Sequence, residues 1–178
     1  MNTVFIDVDT QIDFLFPAGA LYVPGSETIV ANLAALNQHA SAKGHRLIST
    51  MDAHAENDIE FRSWPAHCVV GTVGQQKPAG TLVSGQTLFP KVTTNAFATG
   101  EMDTLLDALA ADRYVVYGVA TDICVDFFLK GLYRRKQTRI HLITDAIRAI
   151  DPAASDAIYN TLTAAGGRLV TSADVLTT

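Results

Sequence analysis

Apolar residues in this chain fall into short unbroken runs, and between the runs they recur at helical spacing. Thr3–Val8, Arg46–Met51, Leu88–Val92, Tyr114–Val119, Arg139–Thr144 and Arg168–Thr171 read as strands, with Gly, Pro and Asp between them. Ser26 can cap a helix running to about Lys43, with Ile29, Leu33 and Leu36 on one face and Gly44 as its stop. Glu101–Ala111 and Ala153–Ala165 read as further helices, the second ended by Gly166-Gly167. Val125, Phe128, Leu129 and Leu132 predict another helix directly after the strand at Tyr114–Val119. The strands are continuously apolar rather than alternating, which suits a parallel sheet covered on both faces by helices. The fold class expected is α/β, three layers with a mostly parallel sheet, as one domain over residues 1–178.

In such folds ligands bind beyond the carboxyl ends of the strands. Asp9, Asp52, Lys91 and Ala120 all fall at or just after predicted strand ends, so they should share one rim. The stretch from Asp52 to about Thr87 is polar and carries Pro65, Gly71, Gly74, Pro78 and Gly80. A loop region that long inside one domain is usually functional.

Composition narrows the partners. Hydrophobic residues make up 48% of the 178, so a sizeable core can form and disorder is excluded. The net charge of −5, with no basic run, argues against nucleic acid or an anionic membrane surface. No apolar stretch reaches the ~18 residues of a membrane span. The first residues lack the basic and apolar regions of a secretory signal. Two cysteines, Cys68 and Cys124, are too few for a disulfide framework, so a reduced cytoplasmic setting is expected. A homo-oligomer is left open.

The candidate chemistry centres on Cys124. It sits where a strand hands over to a helix, where free backbone N–H groups and the helix dipole favour a thiolate. A low-pKa thiol beside an anion-holding turn suits acyl transfer. Asp9 can serve as its base and Lys91 as the cation that orients Asp9. The plainer readings are a turn cap for Asp9, a solvated lysine, and a buried small hydrophobe for a cysteine. Asp52, His54, Glu60 and His67 offer mixed nitrogen and oxygen donors for Zn²⁺, Fe²⁺ or Mn²⁺, with Glu56 or Asp58 as other oxygen donors. The plainer reading there is a polar loop with surface histidines. His39, His45 and His141 read as helix-face, helix-end and strand residues. Asp7-Val8-Asp9-Thr10 weakly resembles the opening motif of haloacid-dehalogenase-like phosphatases, but Gln11 stands where that motif wants Thr or Val.

Taken together, these segments resemble the isochorismatase-like cysteine hydrolases, and most of all their nicotinamidase (pyrazinamidase) branch. Asp9-Thr10-Gln11-Ile12-Asp13-Phe14 is similar to the family's D-x-Q-x-D-F opening, which implies Asp9 as the catalytic acid. Phe16-Pro17-Ala18-Gly19-Ala20-Leu21 resembles its P-G-G-A-L loop, with Ala18 in place of a Gly. Lys91 stands at the position of the catalytic lysine, ahead of Asn95-Ala96-Phe97. Gly118 to Val125 is similar to the nucleophile segment, which implies Cys124 as nucleophile, a cis peptide before Ala120, and the N–H groups of Ala120 and Cys124 as oxyanion donors. The resemblance implies a Rossmann-like sheet and a divalent metal, zinc ahead of iron or manganese, on Asp52, His54 and His67 with Glu60 as a fourth ligand. It further implies Phe14 and Trp64 packing on a pyridine ring. The activity implied is hydrolysis of nicotinamide to nicotinate and ammonia. A sister hydrolase acting on a ureido or carbamoyl amide is the alternative.

Overall fold

The computed structural model describes residues 1–177. Six strands form one sheet: β1 (Thr3–Val8), β2 (Arg46–Asp52), β3 (Thr87–Lys91), β4 (Arg113–Val119), β5 (Ile140–Arg148) and β6 (Arg168–Val170). Their order across the sheet is β3-β2-β1-β4-β5-β6, and every neighbouring pair is parallel. Order reverses at β1, so the next strand out on one side is β2 and on the other β4. The crevice at that switch point is where such sheets bind ligands.

Helices cover both faces: α1 (Ile12–Leu15), α2 (Val30–Ala42), α3 (Glu101–Leu109), α4 (Asp126–Arg134), α5 (Ser155–Ala164) and α6 (Ser172–Leu176). α2 packs on β1, β2 and β5 and meets α6. On α3, Asp103 pairs with both Arg134 and Arg135 at the end of α4. β1 is buried at all six positions, and Val4, Phe5, Ile6, Val115, Val116, Leu142 and Ile143 form the centre of the core. Among the described residues no helix is long and apolar enough to cross a membrane.

Several boundaries differ from the sequence reading, each for a local reason. Ser26 does not cap a helix. Its hydroxyl donates to the carbonyls of Phe14 (2.8 Å) and Val23 (2.6 Å), and Gly25 at φ 79° takes the cap position of a 3₁₀ turn that leads into α2. β5 runs four residues past Thr144. Its register against β4 shifts between Val116 and Gly118, and the longer strand absorbs that irregularity. The helix at Ser172–Leu176 has a capping box, with the Thr171 hydroxyl and the Asp174 carboxylate each bonding the other's backbone. That signature is present in the sequence, but the apolar pattern is too short to announce a helix. The long region between β2 and β3 carries two short 3₁₀ turns, Ile59–Arg62 and Ala79–Thr81.

One glycine is required by the sheet itself. Gly118 has φ 121°, and a Cβ there would meet the Val8 carbonyl oxygen at 2.1 Å. Its neighbour across the ladder is Val8, one residue before Asp9, so the missing side chain lets β4 approach the end of β1 closely.

Candidate active site and metal centre

Three strand ends and one turn supply the reactive groups. Asp9 follows β1, Asp52 ends β2, Lys91 ends β3, and Cys124 lies in the π-type turn Thr121–Val125 after β4. Asp52 and Lys91 are register partners, so parallel pairing alone brings them together. Asp9 leaves β1 with φ 50°, a left-handed conformation that Asp tolerates better than most residues. Its N–H donates to the Thr50 carbonyl at 3.1 Å, and the Thr50 hydroxyl donates to Asp9 Oδ1 at 2.6 Å.

Lys91 is 8% exposed and Asp9 1%, which excludes a solvated lysine and a surface cap. Lys91 Nζ stands 2.8 Å from Asp9 Oδ2 and 3.8 Å from Cys124 Sγ. It donates to Asp52 Oδ1 and to the Thr93 carbonyl at 3.0 Å. Asp9 Oδ2 has this ionic neighbour by distance but no aligned hydrogen bond, although it is fully buried. An oxygen in that condition has a lone pair free to take a proton.

The electrostatics correct one expectation. The turn alone does not set the Cys124 thiol. Burial pushes it well above the ordinary thiol value, Lys91 opposes that shift, and Asp9 adds to it. Desolvation of the thiolate is the largest influence on this sulfur, with Lys91 working against it. Asp9 is raised too, by burial first, with Lys91 opposing and Asp52 reinforcing. Burial alone would lower Lys91, but Asp9, Cys124 and Asp52 hold it well above its usual value, so it remains a cation. The site thus gathers one buried ammonium, two carboxyl groups and a thiol.

A second cluster adjoins the first. Asp52 Oδ2 lies 3.7 Å from His54 Nε2 and 3.5 Å from His67 Nε2. One ligand atom from each of the three lies within 4.8 Å of the others, and all three residues are buried. The loop is folded to do this. His54 and Val69 form an isolated parallel bridge, with the His54 N–H on the Cys68 carbonyl and the Val70 N–H on that of His54. His67 Nδ1 bonds the Pro65 carbonyl at 2.7 Å, which leaves Nε2 as the free nitrogen. Asp58 Oδ2 sits 3.1 Å from His54 Nδ1 as a charged neighbour on the far side of the ring, without an aligned hydrogen bond. His54 Nε2 is buried with no hydrogen-bond partner. Two buried imidazoles, that of His67 anchored through Nδ1, and a carboxylate within 4.8 Å of one another fit a divalent transition metal. These buried histidines are not surface residues. Burial pushes Asp52 up, but Lys91 and both histidines outweigh it and hold the carboxyl well below the usual range.

A narrow cleft opens between the two clusters, lined by Asp9, Phe14, Asp52, Glu60, Trp64, His67, Ala120 and Cys124. Leu21, Val23, Ile123 and Ile150 complete its apolar wall. Glu60 is thus on the cleft wall, with its pKa raised by burial and Asp52, but outside the compact group of three. The peptide between Val119 and Ala120 is cis.

Supporting residues that sequence reasoning passed over hold the rim together. Gln11 Nε2 donates to the carbonyls of Asp52 and Gln75, both at 2.8 Å, while its Oε1 accepts the Asp52 N–H at 2.6 Å. Asp13 accepts the N–H groups of Ala20 (2.9 Å) and Cys68 (2.7 Å), tying the loop after α1 to the histidine loop. Asp7 is enclosed by Lys77 at 2.8 Å, Thr10, Asn37 and Ser49, so it offers no open carboxylate to a phosphoryl group. A fully buried Asp in a strand was the one available signal, since it demands a buried partner elsewhere.

Comparison with known proteins agrees with this geometry. Residues 3–174 match the isochorismatase domain family. The chain is 27% identical to the nicotinamidase of Escherichia coli, over 94% of this chain and 93% of that protein. It superimposes on the zinc complex of Pyrococcus horikoshii pyrazinamidase with a TM-score of 0.87 at 26% identity, covering 96% of this chain and 99% of the other. PnC1 of L. infantum in complex with nicotinate is 31% identical, with a TM-score of 0.85 over 96% of this chain and 93% of that one. The chain belongs to the isochorismatase family.

Proposed function

We propose that this protein is a metal-dependent cysteine amidohydrolase that converts nicotinamide to nicotinate and ammonia. The observation that carries the reading is the convergence of Asp9, Lys91 and Cys124 beside the Asp52, His54 and His67 cluster across one small apolar cleft. The similarity to nicotinamidases and to a nicotinate complex supports the same substrate.

Asp9 takes the Cys124 proton, and the sulfur forms a bond to the amide carbon. The oxyanion is received by the N–H groups of Ala120 and Cys124, a contribution of about 3 kcal/mol per donor in comparable sites. Asp9 returns the proton to the amide nitrogen as the C–N bond breaks, and ammonia leaves a thioester. Water then attacks, with Asp9 as its base. The C–S bond breaks and the thiolate recovers a proton. Lys91 stays charged throughout and stabilises whichever of Asp9 and Cys124 is anionic. Asp52, His54 and His67, with Glu60 as a fourth donor, would hold zinc, or iron or manganese, as a Lewis-acid anchor for the pyridine nitrogen. Phe14 and Trp64 flank the ring. Nicotinate so formed would enter pyridine nucleotide salvage, in the reducing cytoplasm that the two free cysteines suit.

Ammonia release from nicotinamide, set against a panel of ureido and carbamoyl compounds, tests the proposal. Turnover is expected on nicotinamide, with none in Cys124→Ala at unchanged fold. Preference for a ureido compound would move the protein to the sister activity. Ordinary turnover by the alanine variant would overturn the mechanism.

A further inference from the structure

The opposite pole of the sheet carries a second concentration of charge. Every strand runs parallel, so every strand start lies at that pole, away from the catalytic rim. Arg113 opens β4, Arg139 precedes β5, His141 is the second residue of β5, and Arg168 opens β6. Register places all four on one face. His141 pairs with both Val115 and Arg168, Arg113 lies two residues before Val115, and Arg139 lies two before His141. The four line one groove, with Gly166 at its edge. An adjoining groove continues from Arg113, His141 and Arg168 toward Thr163 and Asp174.

These cations lack acidic partners. Among the described residues, no carboxylate lies within ion-pair distance of Arg113, Arg139 or Arg168, whereas Lys77, Lys91, Lys130, Arg134 and Arg135 each have one. Arg113 Nη2 donates to Thr3 Oγ1 at 3.1 Å, while its buried Nε has no partner. The carboxylate in the groove, Asp174, is occupied by the Thr171 N–H (2.8 Å) and hydroxyl (2.7 Å). His141 is pushed toward its neutral form by burial and then by Arg113 and Arg168, so the positive potential is felt inside the groove. All this occurs in a chain of net charge −5, where a general basic surface is not the explanation.

We propose that this groove is an anion site for the phosphate group of a small phosphorylated molecule, held by Arg113, Arg139 and Arg168 beside His141. Guanidinium forks match phosphate oxygens bidentately, and three of them around one groove suit a dianion better than a single carboxylate. The cluster spans only three strand starts and does not extend into a track, so a polymer backbone is a poor match. Arg113, the Arg139–His141 pair and Arg168 come from three separate segments of the sequence, and the parallel topology assembles them.

The test follows the His141 ring resonances as inorganic phosphate, or adenosine monophosphate, is titrated in at constant ionic strength. A saturable shift is expected, with affinity weakened about tenfold or more in Arg113→Gln/Arg168→Gln and in the exposed single variant Arg168→Gln. Arg62→Gln, which removes a cation from the histidine loop, should leave the titration unchanged. Tighter binding of the nucleotide identifies an organic phosphate as the ligand, and equal binding identifies the free ion. A response that never saturates, or equal affinity in the double variant, overturns the site. The readout is independent of amide hydrolysis, so it stands or falls apart from the proposed activity.

Discussion

Asp9 has its two oxygens held in different conditions. Oδ1 accepts from the Thr50 hydroxyl, and Oδ2 faces Lys91 without an aligned hydrogen bond. Burial raises its pKa while Lys91 and Thr50 lower it, so the group ends above the ordinary carboxylate value. A base must be ionised to act. The acid limb of kcat/KM should therefore lie above the ~3.9 of a free aspartate. Thr50→Val deletes a hydrogen bond that favours the ionised form. The limb should then move to still higher pH, by about one unit if the bond contributes roughly 1.5 kcal/mol. The pH profile of the variant measures this, and an unmoved or lowered limb would sink the assignment. Cys124 stood out in the sequence by its place at a strand-to-helix turn, whereas Asp9 and Lys91 stood out only through the family resemblance, since position alone favours a turn cap and a solvated lysine. Thr50 did not stand out, because a threonine in a β-branched strand is explained by strand propensity alone.

At the scale of elements, two clamps decide the shape of the rim. The first joins the loop before β3 to β1 through Lys77 and Asp7, a pair with no solvent exposure on either side chain. Tyr117 from β4 and Asn37 from α2 extend it, the tyrosine hydroxyl donating to Asn37 Oδ1 at 2.6 Å and the amide to Asp7 Oδ2 at 2.9 Å. Lys77→Met leaves a buried anion unpaired, which costs about 3–5 kcal/mol. Asp7→Asn added to Lys77→Met removes the unpaired charge while keeping an acceptor for Asn37 and Ser49, and should recover part of the loss. Urea midpoints of the wild type, both single variants and the double check this, and additive losses would disprove the pairing. The second clamp is Asp122 in the nucleophile turn. Its carboxylate accepts the N–H groups of Ile150 (3.0 Å) and Asp151 (2.8 Å), which fixes Ile150 at the mouth of the cleft. Asp122→Ala should free that side chain. Alkylation of Cys124 by a bulky aryl iodoacetamide should then accelerate more than alkylation by iodoacetamide itself, with Cys68 silent because it is fully buried. Equal acceleration of both reagents would argue against a gate. Apolar runs revealed the strands, but neither clamp, because each joins segments separated by loops whose path no periodicity encodes.

For the molecule as a whole, alternation of apolar strands and helices was enough to infer a parallel three-layer fold. Strand order and the closure of the long loop after β2 were beyond it, since both depend on which segments meet. The loop's two histidines are brought together by one isolated bridge, the Asp13 staple and a ring contact with centroids 4.8 Å apart. A cation bound by Asp52, His54 and His67 would join the end of β2 to both sides of the bridge. Binding to the folded state alone stabilises by about RT ln(1 + [metal]/Kd), roughly 4 kcal/mol when metal stands a thousandfold above Kd. The core strands do not need this, because β1 is buried at every position and β4 from Tyr114 onward. Chelation should therefore speed amide exchange over residues 53–70 while β1 and β4 keep their protection. Iodoacetamide should still label Cys124, since Asp9 and Lys91 are untouched, while amide turnover falls. Hydrogen exchange read by mass spectrometry, with and without chelator, separates the outcomes. Exchange rising equally across sheet and loop would mean the cation supports the whole fold. No change anywhere would mean that these three side chains hold none.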